Sequence, residues 1–396
     1  MTILINANIF PMTKMYNAKN PMLENGYVFI EGTAIKDIGY MKDFIAPNDE
    51  CSKIIDLNGA LITPGFVDAH SHIGIWEDGL NFEGADGNEE TDPCTPHLKA
   101  LDAINPLDPT FKEALLAGIT SVVVGPGSAN PIGGQILAMK TAGTRIDNML
   151  IKEPLAIKMA FGENPKTVYN DKNQSPSTRM ATAAIIREAL EKAKEHLEQI
   201  NSYLENTDEN IRPDLDVKSE ALIPLLEHEI PIHAHVHRAD DIFTAIRIAK
   251  EFELDLVLVH CTEGHLVANE LSKEIYPVLA GPIMTDRSKP ELKNQSSESP
   301  KILNDFGIKT AIITDHPETP EKLLPLCAAL AVRDGLNFYD ALRAITIVPA
   351  EVCGISDRVG SLEVGKDADI VVWKTSPLDI MEKPLQVFCN GELFQN

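Results

Sequence analysis

The sequence predicts an α/β chain: a TIM-type (β/α)8 barrel carrying a small β-rich domain assembled from both ends of the chain. Three observations predict it. Between residues 63 and 354, eight apolar runs of strand length alternate with helical stretches, the habit of parallel α/β architecture. Residues 3 to 62 and the last forty share another style, short strands punctuated by Asn-Gly pairs, so the two ends are expected to pair in one sheet. A chain of 396 residues, 44% of them hydrophobic, can fill one large core and a smaller one. The expected division is 1–62 plus 355–396 for the small domain and 63–354 for the barrel.

Taken in order, ILINANIF, GYVFIEGTAIKDIGY and KIIDLNGALIT read as strands, with Asn25-Gly26 and Asn58-Gly59 as turns. The expected barrel strands are GFVDAHSH, GITSVVVG, GQILAMKTAG, PLAIKMAFG, IPIHAHVH, LDLVLVHCT, YPVLAGPIM and IKTAIITD. STRMATAAIIREALEKAKEHLEQINSYLEN, between the fourth and fifth, is rich in good helix formers, and a polar break from Asp208 to Asp216 follows it. The acidic segment from Trp76 to Asp108 has no periodicity and reads as a surface loop at the barrel mouth. GSLEVGKDADIVVWKT and LQVFCNGELF close the small domain, with Asn390-Gly391 as a turn.

Composition excludes several classes of protein. The opening MTILINANIF has no basic segment leading into a long apolar one, and no run approaches the roughly 20 apolar residues that cross a bilayer. Six cysteines without a CxxC pair suit reduced thiols, so a cytoplasmic location is expected. With 35 basic against 59 acidic side chains the net charge is −24, which repels nucleic acid and anionic membranes. The expected partner is a small-molecule substrate.

The sharpest chemical signal is Asp68-Ala-His70-Ser-His72 at the end of an apolar run, because residues two apart on a strand share a side and can offer two imidazoles to one ion. A second cluster, His233-Ala-His235-Val-His237, ends the fifth run. His233 is the favoured ligand there, though the choice between His233 and His235 stays open; His235 and His237 are otherwise candidates for substrate contact or solvated loop positions. His260 and Asp315 stand at the tips of two further strands, the face where barrels of this class build active sites, and His265 follows as a substrate-contact candidate. Lys158 interrupts an apolar strand, so it should face the lumen, as an ion-pair partner or, carboxylated by carbon dioxide, as a bridge between two ions. Glu163, just beyond, could bridge unmodified or stand as a solvated carboxylate. Imidazoles and carboxylates without paired cysteines suit one or two divalent ions, zinc first, with iron, manganese or nickel as alternatives. Such an ion lowers the pKa of water toward about 7, and Asp315 could take up the proton and return it to a leaving nitrogen, with His260 beside it as a catalytic candidate. GPGSANPIGGQ lacks the GK[ST] ending of a phosphate loop and reads as a tight turn near the site, and Cys261 reads as a packed thiol.

With ITPGFVDAHSH, IKMAFGENPKTVY, IHAHVHRADD, VLVHCTEGH, ITDHP and GSLEVGKDADIVVW, nearly the whole chain resembles the amidohydrolase superfamily, in its imidazolonepropionase-related branch. The resemblance implies a distorted barrel with a composite β-sandwich from both termini. It implies ligation by His70, His72, His233, His260 and Asp315, with Lys158 or Glu163 as bridge, and allows a homo-oligomer, since such proteins commonly self-associate. Members that deaminate ring amines carry an acid shortly after the fifth-strand histidine, where this chain has His235 and His237. The expected activity is therefore metal-dependent hydrolysis of a carbon–nitrogen bond in a cyclic amide, N-acyl or dipeptide-like substrate. The alternatives are deamination of an amino-heterocycle and a non-catalytic metal-binding protein.

Overall fold

A computed structural model of the chain describes residues 1–47, 52–207 and 211–395; Cys51 and the start of the polar break at 208–210 lie outside them. The first sheet begins with β1 (Thr2–Ile9), β2 (Leu23–Glu31), β3 (Ala34–Tyr40), β4 (Lys53–Asp56) and β5 (Leu61–Pro64). The barrel follows as β6 (Phe66–Ser71), β7 (Ile119–Val124), β8 (Ile132–Lys140), β9 (Leu150–Ala160), β10 (Ile232–Val236), β11 (Leu256–His260), β12 (Val278–Ala280) and β13 (Thr310–Ile312). β14 (Ile370–Trp373), β15 (Gln386–Cys389) and β16 (Glu392–Phe394) then return to the first sheet, whose order is β16-β15-β14-β5-β1-β2-β3 with β4 on β1. Each of the eight expected barrel runs holds a strand, and both chain ends meet where β14 pairs antiparallel with β5.

Two expectations require correction. The alternation of strands and helices predicts parallel neighbours throughout, yet β8 runs antiparallel to both β7 and β9. No α-helix connects β7 to β8 or β8 to β9, the second link holding only the 3-10 turn Ile146–Asn148, and such short links cannot return a chain for parallel pairing. Asn25-Gly26 is not a turn: both residues lie inside β2, where Asn25 takes a left-handed φ of 47° and the pairing with β1 shifts register. The reversal comes instead after Glu31. Asn58-Gly59 and Asn390-Gly391 do sit in turns.

The long predicted helix spans Arg179–Glu205, capped by the Thr178 side chain accepting from Ala181 N at 3.1 Å. Its apolar face, including Ile186 and Leu190, packs on Ile157, Met159, Ile232 and Ala234 of β9 and β10. Lys158 and His233 lie between those outward residues and so face the lumen, opposite each other in the β9–β10 register. No helix among the described residues is long and apolar enough to cross a membrane.

The two sheets are locked by a buried cation. Lys140 at the end of β8 is 1% exposed, and its Nζ lies 2.5 Å from Asp369 Oδ2 and 2.9 Å from Asp367 Oδ2. Thr120 Oγ1 donates to the same Asp369 oxygen at 3.0 Å, and Arg358 pairs with Asp367. The two aspartates of the GKDADIVV segment therefore fasten the small sheet to the barrel.

Candidate metal centre

The tips of β6 and β13 are joined by hydrogen bonds outside the ladder. Asp68 Oδ2 accepts from Thr314 N (2.9 Å) and Thr314 Oγ1 (2.5 Å), Asp315 N donates to His70 O (3.2 Å), and His72 N donates to His316 O (2.9 Å). This seam sets Asp315 against the two histidines of the first barrel strand. Asp315 Oδ1 lies 3.2 Å from His70 Nε2 and 3.4 Å from His72 Nε2. Lys158 Nζ reaches the same place, 3.2 Å from His70 Nε2.

A second group faces the first. His235, His237 and His260 each offer a ring nitrogen within 4.8 Å of the others, as do the donors of His70, His72 and Asp315. The His260 ring bridges the two groups, with its centroid 5.4 Å from that of His70 and 4.5 Å from that of His235. Strict alternation along β11 would turn His260 outward, since Leu258 packs in the outer layer and Val259 in the lumen. Its left-handed φ of 68° accompanies the reversal, and Asp315 at the tip beyond β13 has a φ of 56°. Non-glycine residues held there cost of order 1–3 kcal/mol each, a strain that collects at functional sites.

The donor set fits a cation. His260 Nδ1 lies 2.8 Å from Gly281 O and His72 Nδ1 2.7 Å from Gly125 O. A carbonyl only accepts, so both protons sit on Nδ1 and both Nε2 atoms keep a free lone pair. His237 Nδ1 is similarly engaged by Thr262 Oγ1 at 2.7 Å. Burial holds His70, His235 and His237 well below the usual imidazole range and brings His260 down to about 4, so the rings are neutral donors at physiological pH. Burial pushes the Asp315 carboxyl up, while charge on His260 and hydrogen bonds from His70 and His72 pull it well below the usual carboxylate range, a pull that needs protons on those rings.

The remaining expected residues fall in different places. His233 belongs to neither group: it lies one layer deeper, both ring nitrogens are buried without a hydrogen-bond partner, and burial brings it down to about 3. His235 and His237 occupy the positions beside His260. Glu163 heads the helix Glu163–Asp171 and lines the cavity above the metal groups rather than either group itself. His265 lies in the short helix Gly264–Val267 and does not line that cavity. Cys261 is fully buried and its thiol is pushed up to about 12 by burial, as a packed thiol should be.

Sequence reasoning passed over Glu291, Lys289, Asn164 and His316. Glu291 is 2% exposed, with Oε1 3.7 Å from His237 Nε2 and 3.9 Å from His235 Nε2, and Oε2 accepting from Glu163 N at 3.1 Å. Gly162 makes room for it: its φ is +82°, and an added Cβ would meet Asp241 Oδ2 at 2.8 Å and Glu291 Oε2 at 2.9 Å. The available signal was that glycine, immediately before Glu163. The cavity above the two groups measures about 700 Å³, and Trp76, Glu77 and Asp78 of the loop after β6 form part of its wall. The Trp76 ring centroid stands 4.6 Å from that of His72, so the expected mouth loop does reach the site.

A model of the amidohydrolase family matches residues 61–394. The protein named Amidohydrolase tasK, from Hapsidospora irregularis, is 32% identical over 85% of this chain; the chain spans only 37% of that relative's length. An imidazolonepropionase from Acinetobacter baumannii is 24% identical over 91% of this chain and 93% of its own. The crystal structure of an amidohydrolase from Thermotoga maritima MSB8 has a TM-score of 0.93 at 40% identity, with all of both chains covered. On the family match over most of its length, with the barrel and the histidine–aspartate groups that accompany it, the chain belongs to the amidohydrolase family.

Proposed function

We propose that the chain is a metal-dependent enzyme that hydrolyses a carbon–nitrogen bond in a cyclic amide, an N-acyl compound or a dipeptide-like small molecule. The observation that carries this reading is the pair of buried donor groups, His70/His72/Asp315 and His235/His237/His260, meeting at the floor of one cavity. A divalent cation held there, zinc in the first instance, supplies Lewis acidity and lowers the pKa of water toward about 7. Asp315, 3.2 Å from His70 Nε2 and 3.4 Å from His72 Nε2, is placed to accept a proton from water and return it to the leaving nitrogen. Gly125 and Gly281, through their carbonyls, hold His72 and His260 in the donor tautomer.

Lys158 is the proposed bridge between two ions, in preference to Glu163. Its amine is beside His70, and burial brings it down to about 8, which raises the neutral fraction able to add carbon dioxide. Glu163 instead stands at the cavity wall. Replacing His70 by alanine is expected to abolish both tightly bound metal, measured by plasma mass spectrometry, and turnover of N-acyl or cyclic amide substrates. Full activity in His70→Ala refutes the reading. A parallel panel of amino-heterocycles is expected to release no ammonia, because neither His233 nor His235 is followed by an acid within the next three positions.

A further inference from the structure

The charged side chains that line the cavity include Glu77, Asp78, Glu163, Asp315 and Glu318, and among its described lining residues Lys289 is the one lysine or arginine. In a chain of net charge −24, a single cation facing these carboxylates marks the place where an anion can be received. Lys289 opens the short helical turn Pro290–Leu292, and its side chain is 28% exposed. Its Nζ donates to Asn164 Oδ1 at 2.9 Å. Asn164 is itself fixed, with Nδ2 donating to Ser128 Oγ at 2.7 Å and lying 3.4 Å from His235 Nε2.

The simplest competing role for Lys289 is to neutralise the buried Glu291, 3.5 Å away. The hydrogen bonds argue against it. Glu291 Oε2 takes its bond from Glu163 N, Glu291 Oε1 has no hydrogen-bond partner, and the ammonium bonds a neutral amide instead. A lysine shaped only to neutralise Glu291 would give that oxygen its proton.

The spacing suits a bifunctional ligand. Lys289 Nζ is 3.5 Å from Glu291 Oε1, which is 3.7 Å from His237 Nε2, so the ammonium is within two short steps of the proposed metal donors. We propose that Lys289 anchors an anionic group of the substrate, a carboxylate a few bonds from the carbonyl under attack, and so selects acidic N-acyl, cyclic amide or dipeptide-like compounds. The inference rests on the hydrolase reading for the word substrate, but the anion site itself is testable without turnover. Glu77, Asp78 and Glu318, which also line the cavity, repel a carboxylate and so favour the orientation that brings it to Lys289.

The test uses zinc-loaded protein and matched probes: malonate, succinate and glutarate, each against the monocarboxylate that lacks the distal acid. Calorimetry measures binding to the wild type, Lys289→Met and Lys289→Arg, with metal content checked in each. In the wild type at least one dicarboxylate is expected to bind roughly ten- to hundred-fold more tightly than its partner, as a charge-assisted hydrogen bond supplies. That ratio should collapse to about one in Lys289→Met and survive in part in Lys289→Arg, on the ordinary difference between the two cations. No dicarboxylate advantage in the wild type, or the same advantage in Lys289→Met, overturns the proposal. Hydrolysis of N-acyl amino acids and their carboxamides is followed separately. Absence of turnover with the binding ratio intact would refute the hydrolase reading and leave the anion site standing.

Discussion

The metal-free protein should be unusually sensitive to mild acid. Burial holds His70, His235 and His237 well below the ordinary value of 6.5, brings His260 and His316 down to about 4 and brings His233 down to about 3. In the unfolded chain each titrates near 6.5. Between that value and the folded one the unfolded chain binds protons that the folded chain refuses, so stability falls as pH falls through this window. From pH 6.5 to 5.5 the loss is about 1 kcal/mol for each histidine kept neutral, hence about 6 kcal/mol for six acting independently. A typical folded domain has about 5–15 kcal/mol in total. Carboxylates held low in the fold, such as Asp216 and Asp240, lose their contribution at more acid pH, whereas burial lifts Asp68 to about 6 and Glu321 well above the usual carboxylate range, so these two take up protons in the fold and offset part of the loss. Urea unfolding of chelator-treated protein at pH 7.5, 6.5 and 5.5, followed by tryptophan fluorescence, reads the effect. His260→Asn should reduce the pH slope by one histidine's share. A change below about 1 kcal/mol between pH 6.5 and 5.5 would refute the reasoning, because it would mean that these rings accept protons without unfolding.

Three further outcomes follow from particular contacts. Lys140→Met strands Asp369 in a buried site and is expected to cost about 3–5 kcal/mol, read by chemical denaturation, with Asp369→Asn in the same chain restoring part of it. Thr262→Val removes the partner of His237 Nδ1 and should weaken metal binding roughly ten- to hundred-fold in a competition titration while leaving the circular dichroism spectrum unchanged. Gly65→Ala would place a Cβ 2.0 Å from Thr120 Oγ1 at the junction of β5 and β6, and a loss of about 1–3 kcal/mol in thermal or urea unfolding is expected.

The barrel was legible because its strands are apolar runs of the right length, and the metal histidines because they stand at the ends of those runs. What could not be read has physical causes. The antiparallel setting of β8 depends on connection length and pairing, not on the hydrophobic pattern of GQILAMKTAG, which is the same for either direction. The preference for His233 over His235 assumed that the ligand lies where the apolar run ends. The register instead puts His233 level with Lys158, a layer below His235. His260 reaches the site through a left-handed residue that alternation does not foresee. Glu291 and Lys289 come from a loop whose sequence has no period, so only its folded course brings them to His235 and His237.

The pairing of β5 with β14 also sets a clock on biosynthesis. Leu61 is matched with Trp373, so the strand that completes the small sheet is made more than three hundred residues after its neighbour. At ribosomal speeds of about 5–20 residues per second, that interval is roughly 15–60 s. Throughout it β5 keeps an unpaired edge, and Lys140 waits in an apolar setting without Asp367 and Asp369. The nascent barrel therefore cannot reach its final stability before β14 to β16 have been made. Its yield depends on how well that interval is protected, by chaperones or by low temperature, before the last strands arrive and close the sheet.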